Sequence, residues 1–292
     1  MPESFVYVAS AGANTVSIID PASDTVVAEV PTGESSYGVA VAGQRVYVTN
    51  PIGPNTVSVL DVPSRSVVGS FAAGHGPFGV AVSPDGATGY VTNFSENTVS
   101  VFDTATDRVV GSIATAAGPF GVAFAPDGAR AYVTAINAHS VQVIDTARRA
   151  VVGNIEVQRA PYWVAFTPDG ARAYVTNQNS DSVSVIDVVS GTVTATIAVG
   201  DRPDGIAVSP DGRLAYVTCR SANVVSVLDL ASGTVSAAIP VGSVPQSVAF
   251  TADGTKAYVA NQGSDSVSVI DVSAGAVAGT ITVVEPTGVG AG

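Results

Sequence analysis

The sequence predicts an all-β protein of the propeller class: seven blades of four antiparallel strands each, set in a ring. Three observations predict it. A tyrosine recurs at Tyr7, Tyr47, Tyr90, Tyr132, Tyr174, Tyr216 and Tyr258, at spacings of 40, 43, 42, 42, 42 and 42 residues, and an aspartate follows each at Asp20, Asp61, Asp103, Asp145, Asp187, Asp229 and Asp271. Within each unit Val, Ile and Tyr alternate with Ser, Thr and Ala, the period of two that marks strands, and no stretch sustains a helical period. The chain starts on a second-strand pattern, Phe5–Val8, and ends on Glu285-Pro-Thr-Gly-Val-Gly290, which matches the entry to a first strand such as Gly118-Pro-Phe-Gly-Val122.

Each element follows from the same pattern. In the unit around Tyr174 the strands are expected at Trp163–Phe166, Arg172–Thr176, Ser182–Ile186 and Thr192–Ile197. Pro-Asp-Gly at 84–86, 126–128, 168–170 and 210–212 suits a hairpin whose glycine takes positive φ. The repeated aspartate is best explained as an acceptor for backbone N–H groups of the turn that follows it. A four-stranded unit of ~42 residues cannot bury both faces alone, so neighbours must stack around an axis. Val284–Val289 is expected to pair beside Phe5–Val8 and close the ring, making residues 1–292 one domain.

Composition narrows the function. A chain of 292 residues buries roughly 75% of its unfolded surface and needs no staple. Cys219 is its one cysteine, so no internal disulfide can form, and no Cys/His cluster offers a zinc site. With 12 basic against 24 acidic residues the net charge of −12 repels phosphate backbones and anionic lipid, so neither nucleic acid nor membrane is an expected partner. No phosphate loop, dinucleotide fingerprint, zinc-protease motif or EF-hand loop is present, so no cofactor or metal is expected. The first residues lack a basic and apolar leader pattern, which points to a cytoplasmic protein unless a leader has been removed, and broken apolar runs, no amphipathic tail and the net charge of −12 point to a soluble monomer.

Tyr47-Val-Thr-Asn50, Tyr90-Val-Thr-Asn93 and Tyr174-Val-Thr-Asn177, each followed by a strand ending in the repeated aspartate, resemble the YVTN family of β-propeller repeats. The resemblance covers essentially the whole chain and implies a seven-bladed ring. It implies little about function, because such propellers include surface-layer and other extracellular proteins, and similar rings include an antibiotic lactone lyase. Those lyases carry histidine on the axial top face, and the ring aligned below contains none.

Positions that break the repeat mark the candidate site. The hairpins and the turns after the repeated aspartate share one face, the bottom; the blade-to-blade connections and the loops after Tyr-Val-Thr-Asn share the other, the top. Basic residues such as Arg130 and Arg172 belong to bottom turns and read as solvated turn residues, whereas Arg159, Arg202 and Arg220 lie on top. A guanidinium there could clamp a carboxylate or phosphate, or simply pair with Asp201 or Asp204. Just before each innermost strand the residues run Tyr37, Phe78, Phe120, Tyr162, Asp204, Gln246 and Thr287, and Trp163 stands next to Tyr162 where most blades have Gly. One apolar and one polar wall compose a small-molecule pocket, although the aromatics could equally plug the channel mouth. Glu34 and His75 occupy equivalent places on adjacent blades, so His75 is a candidate general acid/base that Glu34 could orient. His139 replaces a turn-capping Asn or Asp and reads as structural, as does Cys219.

Two functions remain open. In one, the top pocket is a cofactor-independent lyase, isomerase or cyclase: Tyr37, Phe78, Phe120, Tyr162, Trp163, Arg202, Arg220 and Gln246 hold the substrate, and His75, Glu34, Asp204 or Arg159 moves protons or stabilises charge. In the other, the same face is a non-catalytic module that holds a protein or peptide, since aromatics and arginine are also what interfaces enrich.

Overall fold

Alternation of β-branched with small polar residues builds seven four-stranded antiparallel sheets, each ordered from the axis outward. The structure, a computed structural model, describes residues 5–53 and 55–292. Blade 5 is representative: Pro161–Phe166 lies innermost, followed by Arg172–Asn177, Ser182–Asp187 and Thr192–Ala198. Blades 2 to 7 run in chain order, and blade 1 is closed by Pro286–Ala291 pairing with Val6–Ser10. The register there is Val6 opposite Ala291, Tyr7 opposite Gly290 and Val8 opposite Val289. The closing strand thus starts at Pro286, two residues later than expected, because Val284 and Glu285 form the connection from blade 7.

The repeated tyrosines sit between blades. All seven are at most 2% exposed, and they pack with Val and Ile of the adjoining sheet, as Tyr174 does with Val217 and Leu228. Burying a side chain of this size stabilises by about 1.5–3 kcal/mol, so the repeat is the core. The repeated aspartates behave as the sequence suggests: Asp187 Oδ1 accepts the Ser190 N–H at 2.7 Å and Asp229 Oδ1 that of Ser232 at 2.7 Å. Gly86, Gly128, Gly170 and Gly212 of the Pro-Asp-Gly turns have φ between 69° and 74°.

A second repeated device fixes the top. The turn residue at Asn14, Asn55, Asn97, His139, Asp181, Asn223 and Asp265 has positive φ and accepts a backbone N–H from the connection that leads to the next blade. His139 does so through Nδ1, from Ala160 at 3.3 Å, which makes its role that of the Asn it replaces. The bottom basic residues, in contrast, are more than solvated turns. Arg130 and Arg172 donate to the carbonyls of Val188 and Leu230 in the next blade at 3.2 Å, and Lys256 reaches Pro21 O and Asp24 at 2.7 Å across the closure. Among the described residues no helix is long and apolar enough to cross a membrane.

Candidate functional site at the axial top

The top of the innermost strand carries a bulge in six of the seven blades, blade 2 being in continuous register, and the ring residues Phe78, Phe120, Tyr162, Trp163, Asp204 and Gln246 stand on it. In blade 5 Pro161 pairs with Asn177 and Val164 with Val175, so Tyr162 and Trp163 together oppose Thr176. A bulge of this kind bends the strand and re-aims its side chains. The Thr176 hydroxyl occupies the gap: it accepts the Trp163 N–H at 3.0 Å and donates to the Asp204 carbonyl of blade 6 at 2.7 Å. Thr49, Thr92, Thr134 and Thr218 do the same for the carbonyls of Phe78, Phe120, Tyr162 and Gln246. Blades therefore approach closely here. A Cβ added to Gly38, Gly79, Gly121, Gly205 or Gly288 would come within 2.0–2.5 Å of a neighbouring carbonyl oxygen, and only Trp163 and Ser247 place a side chain at that point.

The apolar half of the ring is a packed aromatic cluster. Phe78 stacks on Phe120 at 4.9 Å between centroids, Phe120 meets Tyr162 at 4.2 Å, and Trp163 stands edge-on to Phe120 at 5.7 Å. Tyr37 touches Phe78 at 5.1 Å and also Phe120, two blades away, at 5.8 Å. Contact between non-adjacent blades means that these side chains converge on the axis. Phe120 is buried, while Tyr37, Phe78, Tyr162 and Trp163 remain half-buried and keep ring surface at the mouth.

The polar half is unsatisfied. Asp204 is 0% exposed, and neither of its carboxylate oxygens has a partner at hydrogen-bond geometry. Arg220 Nη1 lies 3.6 Å from Oδ2, too far for a hydrogen bond. Burial pushes the Asp204 carboxyl up to about 7; Arg220, the Trp163 indole N–H and Arg202 oppose the rise without cancelling it. The indole is close enough to favour the charged form but does not complete a regular hydrogen bond. The effect reaches across the axis. Burial and the nearby Asp204 raise the Tyr37 phenol well above its ordinary value, and the same two causes push Tyr162 up to about 12. Gln246 donates through Nε2 to Gln262 Oε1, leaving its own Oε1 buried and unpartnered. Arg202 Nη2 donates to Gln178 Oε1 at 3.4 Å.

Several expectations need correction. His75 is 72% exposed at the rim; its ring meets Asn55 at 3.3 Å and Glu96 at 3.7 Å, while the Glu34 carboxylate lies over Gly53. The structure therefore joins His75 to Glu96 of its own blade and not to Glu34. Arg159 is exposed, its backbone N–H held by Ser180 Oγ at 3.0 Å. Thr287 is in the ring but not in the polar wall, because its hydroxyl donates to Ser36 O at 2.8 Å. Gln178 and Gln262 are the functional-site neighbours that the ring alignment missed. A signal existed: the position after Tyr-Val-Thr-Asn is Phe94 in blade 3 but Gln178, Arg220 and Gln262 in blades 5 to 7, the same apolar–polar division as the ring. Cys219 is buried in the core of blades 5 and 6, where burial raises its thiol.

A cavity of ≈ 840 Å³ opens on the bottom face, lined by Asp253 and Lys256 of blade 7, Phe5 and Gly292 of blade 1 and Arg65 of blade 2. It lies where blade 1 joins Val6–Ser10 to the closing strand Pro286–Ala291 and has no Pro-Asp-Gly hairpin. Among the described residues, Asn177, Gln178, Asp204, Gln246 and Asn261 carry buried unpartnered polar atoms toward the opposite end, against Ser17, Tyr90 and Tyr132 elsewhere, which makes the top the stronger chemical signal.

Comparison with known proteins agrees with the fold. The sequence profile of the family described as "Lactonase, 7-bladed beta-propeller" matches residues 161–286, a segment that includes Tyr162, Trp163, Arg202, Asp204, Arg220 and Gln246. No curated protein matches. Among solved structures, hydrazine synthase of Kuenenia stuttgartiensis is similar at 27% identity with TM-score 0.81, over 89% of this chain and 90% of that one. A protein of unknown function from Desulfotomaculum acetoxidans DSM 771 superposes with TM-score 0.86 at 18% identity, over 98% of both chains. Dihydro-heme d1 dehydrogenase NirN in complex with DHE superposes with TM-score 0.73 at 21% identity; 97% of this chain covers 64% of that one.

Proposed function

We propose that the axial top is a small-molecule site at which Asp204 serves as general acid and base, in an elimination, isomerisation or cyclisation that needs no cofactor. One observation carries this reading: a fully buried carboxyl without hydrogen-bond partners, raised to about 7, at the edge of an aromatic wall. A group whose pKa lies near the operating pH can both take and give a proton, which typically contributes ~10²–10⁴-fold to rate. Seven equivalent blades have no architectural need for an acid at one ring position, and burying it with Arg220 3.6 Å away and no regular hydrogen bond costs stability; such costs are characteristic of sites. Tyr162, Trp163 and Arg220 would orient the substrate and receive developing negative charge. The lactonase-profile match over 161–286 supports small-molecule chemistry in the same sector and makes a cyclic ester a natural substrate to include. The Tyr-Val-Thr-Asn resemblance belongs to this proposal as well, as a statement about the repeat and not the reaction.

The test is turnover of a panel of lactones, β-eliminating esters and enolisable ketones, each with and without a free carboxylate, by the full chain and by Asp204→Asn, with melting temperature measured beside it. Turnover lost in a variant that melts no earlier supports the reading; undiminished turnover removes Asp204 from the chemistry. The close packing of Phe78, Phe120 and Tyr162 favours a second reading, in which the mouth is closed and its outer rim holds a protein or peptide. In that case no panel member is turned over and Asp204→Asn is simply more stable.

A further inference from the structure

We propose that the molecule taken by the axial top is a small apolar monocarboxylate, seated with its carboxylate on the accessible side of Arg220 and Arg202, above the buried Asp204 carboxyl, and its apolar body along Tyr162 and Trp163. The inference rests on the reading of this mouth as a small-molecule site and adds the charge and shape of the ligand. Charge placement is the first argument. In a chain of net charge −12, Arg159, Arg202 and Arg220 fall in the sector of blades 5 and 6, and Arg220 and Arg202 act on the one buried acid of the ring. The second is unmet hydrogen bonding. Arg220 stands 3.6 Å from Asp204, so its fork of donors is not used up by that carboxylate, and a ligand carboxylate would accept two of them at once.

The state of Asp204 completes the site. Asp204 is fully buried, so it acts on the ligand through its charge: in its neutral form it leaves the guanidinium groups of Arg220 and Arg202 to the ligand carboxylate, and in its ionised form it competes for Arg220 at 3.6 Å and repels the ligand. An ammonium ligand would instead be placed beside two guanidinium groups. A neutral ligand would leave Arg220 without its planar acceptor. Tyr162 and Trp163, both half-buried, offer ring surface next to these groups for an apolar body. The groups that face Asp204 are Arg220, Arg202, Tyr162, Tyr37 and the Trp163 indole N–H, none of which changes charge near neutrality except the acid itself. Ligand uptake is therefore linked to one proton on Asp204, and affinity falls as that carboxyl ionises.

The experiment is calorimetric titration of the full chain with benzoate, benzamide and benzylamine, probes of one shape and three charges. Benzoate should bind at least ~10-fold more tightly than the other two, and its affinity should fall up to ~100-fold between about pH 7 and about pH 9, since a ligand linked to one proton loses tenfold per unit above the pKa. Asp204→Asn should bind benzoate with that pH dependence gone. Arg220→Gln should lose binding, and Arg220→Lys, which keeps the charge but not the fork, should fall between; if the Gln variant does not fold, the Lys variant decides. Benzamide or benzylamine binding as well as benzoate overturns the inference, as does benzoate binding that is indifferent to Arg220. Absence of binding by all three also overturns it, even where Asp204-dependent turnover of another substrate shows that the broader reading holds.

Discussion

Ser247 and Ala260 are register partners on the two inner strands of blade 7, and between them they carry the one hydroxyl that a threonine supplies in blades 2 to 6. Where those blades have Thr on the second strand and Gly (Trp163 in blade 5) on the first, blade 7 has Ala and Ser, and Ser247 Oγ accepts the Val289 N–H of blade 1 at 3.2 Å. Blade 1 solves the same problem differently: Ala9 stands at the threonine position and Thr287, on the closing strand, donates across to blade 2. These exchanges keep a polar tie between neighbouring blades at the narrowest part of the ring. They also separate departures from the repeat that repair it from departures that do not.

The exchange is testable as a cycle. Ser247→Gly alone should destabilise by ~1 kcal/mol, the net value of a hydrogen bond, with a melting shift of about 2–4 °C. Ser247→Gly with Ala260→Thr restores the arrangement of the other blades and should recover most of the loss. Two additive losses in thermal melts would show that the hydroxyls are not interchangeable.

Closure makes the second prediction. Pro286–Ala291 covers the inner edge of Val6–Ser10 and brings Thr287 and Val289, both buried, into the ring. Removing residues 284–292 exposes a strand edge and the flank of blade 7, so melting temperature should fall sharply and aggregation should rise. A truncated chain that melts with the intact one would mean that the ring does not depend on this strand.

Asp204 should make stability depend on pH in an unusual direction. Its folded pKa, about 7, lies above the ordinary carboxylate value, so the native state binds more protons than the unfolded one between about pH 4 and about pH 7. Stability from this group is present below the unfolded pKa and is lost as pH rises through 7. The turn aspartates, such as Asp187 and Asp229, act in the opposite sense: their pKa values are depressed by backbone N–H donors, and their contribution is lost as pH falls. Subtracting Asp204→Asn from the parent isolates the first effect. The variant should be more stable by on the order of 1–4 kcal/mol above pH 8 and nearly equal near pH 4. A constant difference across that range would contradict a buried, titrating carboxyl.

Much of this was legible in the residues. The 42-residue spacing, the hairpin glycines and the capping role of His139 all follow from chemistry that repeats, so each could be read by aligning the chain with itself. The ring of Tyr37, Phe78, Phe120, Tyr162, Asp204 and Gln246 was equally visible as a break in that repeat. Pairings between side chains were not. His75 and Glu34 are equivalent by alignment, yet equivalence on adjacent blades places two loop residues a full blade apart, and His75 finds Glu96 within its own blade instead. Nor does spacing show that Thr287 spends its hydroxyl on a neighbouring carbonyl while the oxygens of Asp204 complete no regular hydrogen bond. Those facts depend on how far adjacent blades approach, which a sequence of repeats leaves open.

The chain's one tryptophan gives the most direct view of Asp204. Trp163 stands on the bulge of blade 5 with its indole N–H toward the carboxyl of blade 6 and its ring against Phe120. A neutral carboxyl and a carboxylate perturb an adjacent indole differently, so intrinsic emission should change with a midpoint near pH 7. Histidine side chains change charge in the same range, which makes Asp204→Asn the necessary control. Emission of that variant should be flat across the transition, whereas His75→Gln, which alters an exposed rim residue, should leave the transition in place. A midpoint that survives Asp204→Asn but vanishes in His75→Gln would return the neutral-range titration to the rim histidine and remove the acid from the centre of the site.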